Sequence, residues 1–116
     1  MKNIVKEKSF AFAVEIVNLC RELQEQKEFA ISKQLIRSGT AVGALIREAE
    51  HAESKKDFIH KFAIAQKECN ETLYWLQLLI ATKYISETAF NKLEHDAIEL
   101  LKLITSIIKS SKANLR

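Results

Sequence analysis

Two acid-x-x-His pairs contain the side chains of this chain whose types and spacing could bind a metal. Glu48 stands three residues before His51, and Asp57 stands three residues before His60. On a helix this spacing puts the carboxylate and the imidazole on the same side. Four-helix bundles hold di-metal sites with such pairs and with further glutamates that project inward from other helices. A metal site is therefore the first hypothesis that the sequence raises.

The direction of these side chains argues against that site. His60 is two residues from both Phe58 and Phe62, about 200° around a helix from that apolar stripe, and His51 falls at a helix end. The other apolar faces offer Leu, Ile and Phe where glutamates are required. The sequence also has no Gly-rich phosphate loop, Ser/His/Asp set or Cys/His pair. We expect no catalytic residue, no metal and no cofactor, and an enzyme is the least favoured class.

Cysteine spacing and hydropathy predict a cytoplasmic protein. Cys20 and Cys69 lie far apart, without CxxC or zinc spacing, on expected apolar helix faces, so buried free thiols are favoured over a disulfide. No secretory signal is visible. The longest uncharged run, residues 72–82, has eleven residues, whereas a membrane-spanning helix needs roughly 20. No contact with a membrane is expected.

Composition and periodicity predict an all-α fold. The 116 residues are 47% hydrophobic and include two glycines and no proline. Apolar residues recur at steps of three and four in four segments, and short connections make consecutive helices antiparallel. The expected fold is one up-down-up-down four-helix-bundle domain spanning residues 1–116. Its helices are expected near residues 5–27, 31–51, 55–83 and 87–110, with a basic frayed tail at 109–116.

Three serines are expected to mark helix starts. Ser54 precedes Lys55-Lys56-Asp57, so its hydroxyl can cap a helix whose third residue is acidic. Ser86 precedes Glu87 in the same way, and Ser32 is a candidate for opening the second helix.

The second predicted helix has one unusual face, small in its middle and charged toward its ends. It carries Arg37, Ala41, Ala44, Glu48 and His51, with Gly39 and Gly43 nearby. In an antiparallel hairpin this face predicts interhelical ion pairs of Arg37 with Glu68 or Glu71 and of Glu48 with Lys61. If the Arg37 contact is partly buried, its removal should cost about 1–3 kcal/mol. The alternative is that the small residues form a groove for a ligand or partner.

The third and fourth predicted helices have more apolar residues than one core face can absorb. Residues 73–81 are apolar around nearly the whole helix, and residues 100–108 repeat the excess. Such a surplus is more typical of a subunit interface than of a ligand site. The residues expected in a homo-oligomer interface are Tyr74, Trp75, Leu78, Leu101 and Ile108.

Positive charge concentrates in the last segment of the chain. The net charge is +3, and residues 100–116 contain Lys102, Lys109, Lys112 and Arg116 without an acid. These cations suit the negative end of a helix dipole, so a solvated helix end explains them. A basic surface that contacts RNA or DNA is the functional alternative.

The chain resembles a known family over essentially its whole length. The resemblance rests on Gln34-Leu35-Ile36-Arg37-Ser38-Gly39-Thr40-Ala41-Val42-Gly43-Ala44-Leu45-Ile46-Arg47-Glu48-Ala49 and on residues 52–61 and 64–76. These segments are similar to the signature of the four-helix-bundle proteins encoded in 23S rRNA intervening sequences, sometimes labelled ribosomal proteins. Arg37 and Glu48 match the family pattern. Ala41 and Leu45 depart from it, since the family usually has Ser and Asn there.

The resemblance implies an antiparallel four-helix bundle that commonly forms a ring of five subunits and has no cofactor. It also relates the chain to the accessory protein of diversity-generating retroelements, a strongly basic pentamer that binds nucleic acid and a reverse transcriptase. The favoured function is therefore a non-enzymatic oligomeric scaffold that associates with RNA or DNA through its basic C-terminal surface. The alternative is a protein-interaction or assembly module with no affinity for nucleic acid.

Overall fold

A computed structural model describes residues 3–115, which form an antiparallel four-helix bundle. Each helix packs against two neighbours, so that α1 contacts α2 and α4, and α3 contacts the same two helices. The bundle measures 50 × 24 × 21 Å. This arrangement confirms the all-α, up-down-up-down fold. The helices are α1 (Ile4–Glu25), α2 (Ala30–Ala49), α3 (Lys55–Ala81) and α4 (Glu87–Ala113).

Side-chain caps fix the starts of the helices. Ser54 Oγ accepts from the backbone N–H of Asp57 at 3.0 Å, and Ser86 Oγ accepts from that of Ala89 at 3.1 Å. Both serine caps are therefore confirmed, because each oxygen satisfies an otherwise free amide of the first turn. Asn3 caps α1 in the same way.

The start of α2 differs from the expectation for Ser32. The helix begins at Ala30, and the Glu28 carboxylate accepts from the Ser32 N–H at 2.8 Å. Ser32 is fully buried, and its hydroxyl donates to the Cys20 carbonyl oxygen at 3.4 Å. A carboxylate that reaches the first turn from outside the helix replaces the expected serine cap.

The end of α4 also differs from the sequence-based expectation. The helix continues through Ala113, so Lys109 and Lys112 lie on regular helix where a frayed tail was expected. The reason is that α4 still has a packing partner here: Ile108 is only 9% exposed, and Ser111 lies beside the first turn of α3. Residue Arg116 lies outside the described residues.

The core is a continuous set of apolar side chains, one stripe from each helix. Its largest fully buried members include Phe12, Ile16, Leu35, Leu76 and Leu100. Their spacing of three and four residues along each helix produces the inward faces that the periodicity predicts.

Glycine permits a close approach of α1 and α2. A Cβ atom built on Gly39 would lie 2.8 Å from Ile16 Cγ2, and one on Gly43 would lie 3.3 Å from the Ser9 carbonyl oxygen. Glycine costs about 1 kcal/mol of helix propensity relative to alanine. Glycine at these two positions therefore lowers the helix propensity of α2 and allows α1 to pack closely against it.

We expect Gly39→Ala to lower the free energy of unfolding by about 1 kcal/mol or more, because the added methyl group overpacks against Ile16. Urea denaturation followed by circular dichroism measures the change. Ser106→Ala, at an exposed position of α4, is the control that gains propensity without a new contact. A Gly39→Ala midpoint above the wild-type value would contradict the close approach.

The two cysteines should react only when the bundle opens. Both are free and buried, and burial raises the pKa of the Cys69 thiol to about 11 and also raises that of Cys20. Because the thiolate is the nucleophile, the Cys69 thiolate fraction near pH 8 falls by about 100-fold. We expect a thiol-reactive disulfide reagent to label neither residue in the native protein and both in urea. Rapid labelling of the folded protein would contradict this burial.

Candidate functional site

An ion-pair network joins α2 to α3 around Arg37. The Nη1 atom of Arg37 lies 3.1 Å from Glu68 Oε1, and Nη2 donates to Glu71 Oε2. The same Glu71 oxygen accepts from the Trp75 indole N–H at 2.9 Å. The structure thus brings Arg37 together with both glutamates, and one of these also holds the tryptophan.

These pairs are more exposed than the sequence suggests. The Arg37 side chain is 47% exposed and Glu68 is 20% exposed. Lys61 Nζ lies 3.5 Å from Glu48 Oε1, at the edge of an open groove of about 690 Å³ between α2 and α3. Charges in contact with water interact weakly, so the network orients the two helices and contributes modestly to stability.

Three of the four residues of the acid-x-x-His pairs, Glu48, His51 and Asp57, line the same groove, and His60 does not. His51 and His60 are both exposed to solvent. No group of three or more His, Cys, Asp or Glu side chains within residues 3–115 has the geometry of a metal site.

The residues expected in a subunit interface separate into two groups. Tyr74 is 57% exposed. Trp75, Leu78 and Leu101 are half-buried. Ile108 is a correction: it lies in the core, because it continues the inward stripe of Leu100 and Ile104 at four-residue spacing.

An exposed apolar face that the sequence reasoning missed lies on α1. Ile4 is 55% exposed, Phe10 59% and Val14 44%. The available signal was the spacing of residues 10, 14 and 17, a second apolar stripe running opposite Phe12 and Ile16. Val17, at the end of this second stripe, is half-buried.

Exposed lysines gather at the end of the bundle where α3 begins and α4 finishes. Lys55 lines a small hollow with Ser111 and Asn114, so the α4 terminus with Lys109 and Lys112 lies beside the first turn of α3. Lys102 is also exposed, about two turns earlier on α4. The antiparallel order could have identified Lys55 and its neighbour Lys56. We name the set Lys55, Lys56, Lys109 and Lys112 the basic end.

Some acids on this half of the bundle pair with other lysines, whereas Glu53 and Asp57, which flank Lys55 and Lys56, form no salt bridge within residues 3–115. Within the described residues no lysine of the basic end forms a salt bridge, whereas three neighbouring acids do. Hydrogen bonding from Lys6 lowers the pKa of Glu50, so this carboxylate stays charged and paired. With four lysines against the two flanking carboxylates of Glu53 and Asp57, the basic end keeps a net positive charge. The three pairs are Lys6–Glu50 at 2.9 Å, Lys8–Glu99 at 2.9 Å and Lys61–Glu48 at 3.5 Å.

Membrane insertion has no support among the described residues. None of the four helices combines the length and the apolar character needed to cross a bilayer.

Arg37→Ala should lower the free energy of unfolding by about 0.5–1 kcal/mol, because solvent screens the pairs that it loses. This is less than the sequence-based expectation, since the guanidinium is nearly half exposed. Arg37→Lys is the matched control, which keeps the charge but loses the forked geometry. Urea midpoints measure both changes. A loss well above 1 kcal/mol, or no loss at all, would contradict an exposed but contributing network.

The chain is similar to proteins of one family in both sequence and structure. The sequence profile of the 23S rRNA-intervening sequence proteins matches residues 1–106. A crystal structure of a protein with unknown function from the S23 ribosomal protein family of Bacteroides thetaiotaomicron is 57% identical, with a TM-score of 0.89. The match covers 90% of this chain and 98% of that chain. No curated protein matches the chain. With nearly its whole length covered by the profile, the chain belongs to the 23S rRNA-intervening sequence protein family.

Proposed function

We propose that this protein is a non-enzymatic, homo-oligomeric scaffold that associates with RNA or DNA through the basic end. The observation that carries the proposal is the convergence of Lys55 and Lys56 with Lys109 and Lys112, all exposed and outside the salt bridges of the described residues. Arg116, which we expect to contribute, follows these residues in the chain and lies outside the described residues. Lys102 extends the same charge along α4.

The chemistry of the basic end suits phosphate contacts. Lysine ammonium groups bind phosphates as mobile point charges and release counterions from the nucleic acid. Phe58, the aromatic residue beside Lys55, is half-buried and stacks at 4.8 Å on the buried Phe62, so it is unavailable for base stacking. Binding should therefore depend steeply on salt and weakly on sequence.

Self-association increases the effect of each basic end. The resemblance implies a ring of five subunits, and if the ring axis runs parallel to the helices, every bundle points in the same direction. All basic ends then share one face, where their potentials add. A single bundle with net charge +3 presents a much weaker field.

A protein-interaction or assembly module without nucleic-acid affinity is the second candidate. The exposed Phe10 and Val14 on α1 favour it, because an apolar helix face is typical of protein contacts. Both candidates require association with another chain. They differ in whether the basic end has a ligand.

Replacing the four basic-end lysines with glutamine should weaken binding to single-stranded RNA and to duplex DNA by about 10- to 100-fold at low salt, since several phosphate contacts are lost. Fluorescence anisotropy at several salt concentrations measures both the affinity and its salt slope. The control variant changes Arg21, Lys27, Lys33 and Lys83 to glutamine, which removes the same charge from the opposite half of the bundle.

Equal weakening by both variants would show that net charge, and not the basic end, controls binding. No detectable binding of the wild-type protein at low salt would favour the protein-interaction module. Light scattering on each variant checks that the assembly is unchanged.

A further inference from the structure

An exposed aromatic ring on α1 faces a cation on α2. Phe10 is 59% exposed, and the guanidinium carbon of Arg47, which is also exposed, lies 5.9 Å from the centre of its ring. This distance is at the outer limit of the range of a cation–π attraction. Arg47 forms no salt bridge among residues 3–115. The bundle itself therefore holds this pair of side chains only loosely.

Phe10 and Arg47 are two walls of a hollow between α1 and α2. The hollow has a volume of about 320 Å³. Its floor includes Ala13 and Gly43, whose small size leaves the space between the two helices open. Among the described residues, Lys6 and Arg47 are the charged members of the lining, which contains no acid. The hollow thus combines an aromatic face, positive charge and room for a flat group.

The other polar groups of the hollow are occupied within the subunit. The Ser9 and Thr40 hydroxyls each donate to a carbonyl oxygen of their own helix, at 3.0 and 2.6 Å. Lys6 pairs with Glu50 at 2.9 Å. Arg47 is therefore the cation that a ligand can use, and stacking is the main attraction that the hollow offers. Stacking tolerates any base, because every base has a flat π face.

We propose that this hollow holds one unpaired base of a single-stranded nucleic acid, between the ring of Phe10 and the guanidinium of Arg47. Aromatic rings and guanidinium planes are the groups on which proteins stack unpaired bases. A base between two flat groups needs about 6.8 Å, twice the roughly 3.4 Å spacing of stacked bases. The two exposed side chains, now 5.9 Å apart, separate by only about 1 Å to admit it. This inference rests on the proposed function and adds a preference for single strands.

The hollow lies on the same half of the bundle as the basic end. Antiparallel packing puts the start of α1 and the end of α2 at the end of the bundle where α3 begins and α4 finishes. Phe10 is six residues from the first residue of α1, about 9 Å along the helix axis. Arg47 is two residues from the last residue of α2. One strand can therefore place its phosphates on the basic end and a base in the hollow.

Binding of oligo(dT) and of an oligo(dT)·oligo(dA) duplex of equal length to the full-length protein tests this preference. By fluorescence anisotropy, we expect Phe10→Leu to weaken oligo(dT) binding by about 10-fold, because stacking on an aromatic ring is lost. Duplex binding should not change. Phe10→Trp keeps a flat ring and should retain the oligo(dT) affinity. Phe29→Leu is the matched control, since Phe29 is 61% exposed but precedes α2, at the other end of the bundle.

Ultraviolet cross-linking gives a second measurement, which a purely structural role of Phe10 would not affect. Irradiation joins a thymine base to a side chain that it touches, and mass spectrometry of the digested protein locates the bond. We expect the bond at Phe10 in the wild-type protein and its loss in Phe10→Leu. Arg47→Lys keeps the charge but not the flat guanidinium. It should lower both the yield of this cross-link and the affinity for oligo(dT).

The outcomes separate this inference from the proposed function. An unchanged oligo(dT) affinity of Phe10→Leu, or an equal loss for oligo(dT) and duplex, overturns the base site and leaves the basic end as the phosphate contact. A smaller mass of Phe10→Leu in light scattering makes Phe10 a protein contact and also overturns the base site. If the wild-type protein binds neither nucleic acid at low salt, the proposed function fails, and this inference fails with it.

Discussion

The close approach of α1 and α2 fixes the register of these two helices. No side chain larger than glycine fits at residue 39 without displacing Ile16, and Gly43 contacts the backbone of Ser9. Contacts this short leave little freedom for the two helices to slide along each other, because packed interiors resist local shifts. Phe10 and Ala44 therefore share a level. The hollow that both of them line follows from this packing rather than from loops.

Antiparallel topology explains why charge is concentrated at one end of the bundle. The start of α3 and the end of α4 are 58 positions apart in sequence yet adjacent in space, which brings Lys55 beside the α4 terminus. Nearby acids pair instead with Lys6, Lys8 and Lys61. A chain with a net charge of only +3 thus presents an end at which lysines outnumber the neighbouring acids. The charge arises from the order of the helices as much as from the composition of the last segment.

The fold could be predicted from the sequence because its signals are local. Three- and four-residue periodicity and the serines at Ser54 and Ser86 define the helices within a few residues. The ion pairs of Arg37 could also be predicted, because the antiparallel arrangement of α2 and α3 puts Arg37 at the same height as Glu68 and Glu71. The exposure of these ion pairs could not be predicted, because it depends on how far the Arg37 side chain extends beyond the contact between the two helices.

The assignment of Ile108 to a surface was wrong because this residue could fit two faces of α4. Ile108 lies within an apolar run, so periodicity alone does not separate the inward stripe from its flanks; packing against α3 decides it. The exposure of Phe10 and Val14 was not predicted, because the inward stripe of α1 already accounts for its helical periodicity. Lys55 and Lys56 required the three-dimensional neighbour of α4. Each case depends on which helix packs beside the residue. The sequence of a single helix does not contain that information.

In the proposed function, the symmetry of the assembly would couple self-association to nucleic-acid binding. A two-fold pair of antiparallel subunits would point two basic ends in opposite directions, and each would meet a phosphate backbone with only its own lysines. A head-to-tail ring with its axis parallel to the helices points them the same way, so once one basic end is bound the others act at high effective concentration. Affinity in the ring then depends more on the number of subunits than on any single lysine.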